Sequence, residues 1–365
     1  MTAGTLASLS NSVFASLGLS GVSDELGIGE SPSGRECIVL IDGMGSQLIA
    51  QYGREFPIFG QSIFEKELSS HFPTTTTVNL TSLATGVLPG IHGMLGYTVR
   101  VPRSGEPGRL LNALKWDERV DPLIWQSVPT LFERASAEGI STSQISAKRY
   151  EGTGFTRAAL SGANYVGANL ISEISDEAAK VLRKEKSFAY VYINHLDVAG
   201  HEDGVGSEKW LIALATVAKL LTELKEKLPP GTRVWVTADH GMVNADEIII
   251  FGKDNDLDKD VTLYGGEPRA RHLYVRDGAA RDVISRYRNY LGTKAEVLSK
   301  DEAISNNLFG NQMSVDSEER IGDIIVIANG GLILVDPERV KEEAGMVGHH
   351  GGLSEVERLI PLLAY

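Results

Sequence analysis

Short runs rich in Val, Ile and Tyr recur along this chain, separated by longer segments of helical period. That alternation calls for a mostly parallel sheet whose strands are joined by crossover helices. The predicted strands are Cys37–Ile41, Ile140–Ile145, Phe188–Ile193, Arg233–Thr237, His272–Val275 and Asp323–Ala328, the second being mostly Ser and Thr. Between them the helices carry their own punctuation. Pro129 opens and Gly139 closes a predicted helix over Thr130–Glu138, and Ser207 caps a long amphipathic run from Glu208 to Leu228 that Pro229 and Pro230 stop. A further helix is expected at about Ala279–Tyr290.

Composition narrows the class. With 365 residues, 42% hydrophobic and 23% charged, the chain has the usage of an ordinary folded protein, which excludes disorder, collagen and coiled coil. The net charge of -13 argues against a surface built for nucleic acid or anionic lipid, so an anionic substrate needs a locally positive site. The single Cys37 cannot form an intramolecular disulfide, which makes the cytoplasm the expected compartment. The opening MTAGTLASLSNSVFASLGLS lacks a basic region and reads as a helical lead-in rather than a signal peptide. No run has the roughly 18 apolar residues that suggest a membrane span.

Four segments place acids and histidines after apolar strands or among glycines. In IVLIDGMGS, Asp42 follows a strand and precedes a glycine turn, where open α/β sheets bind ligands, although Asp-Gly is also a common turn. In YVYINHLDVAGHEDG, Asp197 and His201 stand four apart; on a helix they share one face and can hold one ion, or form a surface pair. In RVWVTADHGM, Asp239 and His240 end another strand, either as metal ligands or as a hydrogen-bonded pair. In GHHGG, His349 and His350 lie among glycines, and position alone does not choose between them.

Together these segments supply three carboxylates and three imidazoles, a ligand set suited to two divalent ions, each with an open position. Two dications outweigh three carboxylates, so the centre is locally positive despite the acidic surface. A fifth segment, HFPTTTTVNLTSLATGVLPGIHG, reads as four threonines followed by a helix whose first turns are Asn79–Ala84, ended by Gly86. A threonine beside a helix N-terminus is placed to attack phosphorus, or simply to cap the helix.

The ordered series D-G-M, F-P-T-x-T-x-x-N…T-G…H-G, D-x-x-G-H, D-H-G-M and G-x-H-G, running from Asp42 to Gly351, resembles the alkaline phosphatase superfamily. Within it the match is to the nucleotide pyrophosphatase/phosphodiesterase (type I phosphodiesterase) family. The resemblance implies a core parallel sheet with helices on both faces and a nucleophile at Thr76. It implies one zinc held by Asp42, Thr76, Asp239 and His240, and a second held by Asp197, His201 and His350, with His349 as the runner-up. It implies a phosphodiesterase or pyrophosphatase acting on nucleotide-type substrates through a covalent phosphothreonine; a phosphomonoesterase or phosphonate hydrolase with the same site is the alternative. A sulfatase is disfavoured, since no C-x-P-x-R occurs.

One departure matters. Where the family usually has an Asn donating to a phosphoryl oxygen, the chain reads His92-Gly93-Met94-Leu95-Gly96-Tyr97, so Tyr97 is the candidate donor. Arg269 and Arg271 are either a phosphate clamp or a solvated strand end; Trp125 is core or a base platform; His71, His92 and His195 flank the motifs as structural residues or as supports behind the ligands, and His272 packs within its strand. The expected organisation is a lead-in over 1–35, a catalytic α/β core over 36–245, an inserted α/β subdomain with further core strands over 246–345, and a metal-ligand loop over 346–365.

Overall fold

The computed structural model describes residues 4–105 and 108–365. Its centre is a seven-stranded sheet of β1 (Arg35–Ile41), β2 (Phe64–Ser69), β3 (Ser141–Ser146), β4 (Asn164–Gly167), β5 (Ser187–Ile193), β6 (Arg233–Thr237) and β7 (Leu359–Ala364), in the order β2-β7-β6-β1-β5-β3-β4. The run from β6 to β4 is parallel, and β7 lies antiparallel between β2 and β6. Strands covered on both faces need no polar alternation, which is why β1 and β5 are apolar almost throughout.

Helices flank the sheet. Phe188 and Tyr190 project from one face of β5 onto Phe132 of the helix Leu131–Ala137, and Phe188 also meets Phe14 of the helix Leu6–Ser16, with ring centroids 4.6 to 5.9 Å apart. The lead-in is therefore a core element, with Leu6, Leu9, Val13 and Phe14 fully buried. The helices Ile171–Val181 and Glu208–Lys227 pack together as a second group.

The stretch 246–345 differs from expectation in one respect. The sheet Val261–Glu267, Ala270–Val275, Ile324–Ala328 and Ala295–Ser299 is antiparallel and separate, covered by the helix Ala280–Leu291, with its own apolar cluster around Leu273, Tyr287 and Val326. None of its strands joins the central sheet; the late strand that does is β7, beyond residue 345. Among the described residues no helix is long and apolar enough to cross a membrane.

Candidate active site at the strand ends

Strands β6, β1 and β5 are neighbours at the middle of the sheet, so their carboxyl ends lie side by side, with adjacent strands roughly 4.8 Å apart. Asp42 directly follows β1, Asp239 and His240 follow β6 by one residue, and β5 leads through Asn194 into the helix His195–Asp203, which carries Asp197 and His201 on one face. The backbone can make these turns because Gly43 adopts φ +77° against Asp197, and because a Cβ on Gly45 would fall 2.8 Å from Gly241 Cα.

The seven residues singled out for metal binding converge. Ligand atoms of Asp42, Asp239 and His240 lie within 4.8 Å of one another, and so do those of Asp197, His201 and His350. Each imidazole is held the same way. His201 Nδ1–H donates to Gly348 O at 2.8 Å, His240 Nδ1–H to Gly241 O at 2.9 Å, and His350 Nδ1–H to Thr74 O at 2.9 Å. That leaves three Nε2 lone pairs free for a cation. His349 is oriented differently: its Nε2 faces the carbonyl of Met346 at 3.3 Å, and it belongs to neither cluster.

The carboxylates match. Asp42 Oδ1, Asp197 Oδ1 and Asp239 Oδ2 are buried without a hydrogen-bond partner among the described residues. His240 Nε2 stands 3.4 Å from the first and third of these atoms, and Asp197 Oδ1 stands 3.4 Å from His201 Nε2 and 3.9 Å from His350 Nε2. Ligands about 2.0 Å from a tetrahedral ion are spaced by roughly 3.3 Å, so most of these separations are those of a coordination shell. Burial, and then the charges of Asp197 and Asp239, push the Asp42 carboxyl well above its usual range. Burial followed by neighbouring His240 and His201 holds His350 well below the usual imidazole range, hence neutral. Three crowded carboxylates facing three imidazoles with bare Nε2 atoms fit divalent cations.

The helix carrying Thr76 begins earlier than expected. It spans Thr76–Thr85, with Thr75 as N-cap and no side chain capping its start, and Gly86 closes it at φ +71°. Thr76 thus occupies the first helical position. Its Oγ1 stands 3.5 Å from Asp42 Oδ2 and 3.3 Å from His240 Nε2. Sequence reading missed Tyr192, whose hydroxyl donates to Asp42 Oδ2; the signal was the period-two row Phe188, Tyr190, Tyr192 ending at the site.

A cavity of about 340 Å³ opens over this centre, lined by Asp42, Thr76, Asp197, His201 and His350 together with Leu80, Phe155, Leu160 and Tyr150. Tyr97 lines it too, its backbone N–H donating to Glu267 Oε2 at 2.9 Å. Glu267 went unnoticed in the sequence because it lies in no motif. Burial pushes its carboxyl up to about 8.

Arg269 and Arg271 are neither clamp nor solvated strand end. Both are fully buried, Arg269 paired twice with Glu357 at 2.8 Å and Arg271 paired with Glu343. Trp125 is buried beneath the Arg320 guanidinium, 3.8 Å from its ring centroid, and is no platform for a base. His92 bonds to Ser82 Oγ at 2.9 Å, while half-buried His71 and buried His272 have their imidazoles held down at about 4 by desolvation.

The family profile described as type I phosphodiesterase / nucleotide pyrophosphatase matches residues 37–353. The chain belongs to this family. As a type I phosphodiesterase/nucleotide pyrophosphatase-family hydrolase it shares its fold with solved structures of low sequence identity. Murine ectonucleotide pyrophosphatase / phosphodiesterase 5 superposes with a TM-score of 0.72 at 16% identity, covering 91% of this chain and 88% of that one. An inactive variant of the murine protein in complex with AMP gives 0.72 at 17%, covering 91% and 87%. Phosphonoacetate hydrolase from Sinorhizobium meliloti, in complex with phosphonoformate, gives 0.68 at 19%, covering 92% and 90%. Among curated proteins no sequence matches significantly.

Proposed function

We propose that this family member hydrolyses phosphodiester or pyrophosphate bonds of small nucleotide-type substrates at a two-metal centre, through a covalent intermediate on Thr76. The observation that carries this reading is the convergence of three partnerless carboxylate oxygens and three bare imidazole nitrogens beside one threonine hydroxyl.

Asp42, Asp239, His240 and Thr76 would hold one ion and Asp197, His201 and His350 the other, a nitrogen and oxygen set suited to Zn²⁺. Bound there, the ions would supply the charge that acidifies the Thr76 hydroxyl and offsets the phosphoryl oxygens. The chain's own part is positioning. Thr76 Oγ1, deprotonated, forms the bond to phosphorus as the leaving oxygen departs on the opposite side; a water then cleaves the phosphothreonine and returns a proton to Oγ1. Backbone N–H groups at the uncapped start of the helix Thr76–Thr85 donate toward the phosphoryl oxygens, and Tyr97 offers its hydroxyl.

Phosphonate or phosphomonoester hydrolysis at the same site is the second reading. It is favoured by Tyr97 at the usual place of an Asn and by the likeness to phosphonoacetate hydrolase. Rates on bis-p-nitrophenyl phosphate and p-nitrophenyl phosphate separate the two: the first reading expects preference for the diester, and a large preference for the monoester reverses the order. Thr76→Ala should lower kcat/KM by about a thousandfold or more with both metals retained. Unchanged turnover in that variant would remove the covalent mechanism.

A further inference from the structure

Arg339 is the one Lys or Arg that lines the cavity over Thr76 among the described residues. Its side chain is only 20% exposed, yet its guanidinium makes only long contacts there, ion pairs of 3.4 Å to Glu342 and 3.5 Å to Glu343. Glu343 Oε1, the atom it faces, is itself without a hydrogen-bond partner. Both carboxylates are committed elsewhere. Glu342 pairs with Lys115 at 3.0 Å, and Glu343 accepts from Arg271 and from the Asp336 N–H. Three cations therefore share these two carboxylates, and of the three Arg339 is the one that lines the cavity. The guanidinium carbon stands 5.8 Å from the centroid of the Tyr97 ring, and the Tyr97 hydroxyl likewise has no protein partner among the described residues.

We propose that Arg339, with Tyr97 beside it, forms a subsite for a second anionic group on the substrate, a carboxylate or a further phosphate carried next to the phosphorus that Thr76 attacks. This rests on the phosphohydrolase reading and deepens it by naming the substrate class. A half-buried guanidinium has five donors in a planar fork, and those of Arg339 that lack a protein partner open on the cavity. Carboxylate and phosphate match that fork bidentately, whereas a neutral leaving group offers it nothing. A charge-assisted contact of this kind is worth roughly 10- to 100-fold in affinity.

The test compares ligands with and without the second anion. Calorimetric binding of phosphonoacetate and of methylphosphonate to the metal-loaded protein gives an affinity ratio for each variant. Arg339→Gln should lower that ratio roughly 30-fold, and Arg339→Lys, which keeps the charge but not the fork, by less. Glu342→Gln, which frees the fork further, should raise it. Kinetic ratios for UDP-glucose, phosphonoacetate and bis-p-nitrophenyl phosphate should fall in the same order in Arg339→Gln for both charged substrates. Loss confined to UDP-glucose identifies the anion as a phosphate, and loss confined to phosphonoacetate as a carboxylate. An affinity ratio that does not change in Arg339→Gln, or equal loss for both ligands, overturns the subsite. Wild-type protein that binds these ligands but turns none over removes the hydrolase reading, and the binding ratio still decides Arg339.

Discussion

Adjacent residues His349 and His350 show how little of a metal site is written in residue type alone. Both are histidines among glycines, yet His350 turns Nδ1 to Thr74 O and bares Nε2 to Asp197, while His349 directs Nε2 at Met346 O. His350→Ala should therefore lose one of two bound ions in metal analysis, and His349→Gln should keep both; the reverse result would assign the ligand wrongly. Glu267 gives a pH signature. Its carboxyl is raised by burial from 4.5 to about 8, so the unfolded chain ionises first and this group costs stability progressively as pH rises through that window, then no further. Measured in chelator, the melting temperature of Glu267→Gln relative to wild type should climb from about pH 4.5 to about pH 8. A flat difference across that range would mean that Glu267 is ionised in the folded state.

At the scale of elements, one buried pair, Arg269–Glu357, ties the subdomain within 246–345 to the C-terminal segment. Arg269 spans from the turn before Ala270–Val275 to Glu357, just ahead of β7, and also donates to the carbonyls of Leu332 and Ala328. Arg269→Ala would leave Glu357 buried and unpaired, and urea unfolding should show a loss of about 3–5 kcal/mol. A raised KM at unchanged stability would instead indicate a phosphate clamp. The strands legible in the sequence were those buried on both faces, such as Cys37–Ile41 and Phe188–Ile193, where an apolar run is the only pattern burial permits. Of the central sheet's strands β2, β4 and β7 were missed, and for two of them the physical reason shows in the sequence. In β2, FEKELS alternates polar residues at the sheet edge; β7 contains Pro361, tolerated because its pairing with β6 begins one residue later, at Leu362. The helix start at Thr76 was also missed, because β-branched threonines are poor helix formers away from a site that needs them.

Across the whole molecule, Asp42, Asp197, His201, Asp239 and His240 were legible as a group because their motifs follow β1, β5 and β6, which the sheet order makes neighbours. Glu267 and Arg339 were not, since each lies in no motif and meets Tyr97 only through the tertiary fold, while Tyr192 showed only as the end of the period-two row in β5. The acidic chain, at -13, concentrates three partnerless carboxylate oxygens at this centre, so cations bound there should stabilise the fold as a whole. Chelation should lower the melting temperature by about 5 °C or more and abolish turnover, with added zinc restoring both; a melting temperature indifferent to chelator would contradict this. The most direct measurement is anomalous diffraction at the zinc edge from crystals soaked with vanadate. Two peaks are expected, one among Asp42, Asp239 and His240 and one among Asp197, His201 and His350, with vanadium bonded to Thr76 Oγ1. A single peak, or vanadium seated away from Thr76, would contradict the account.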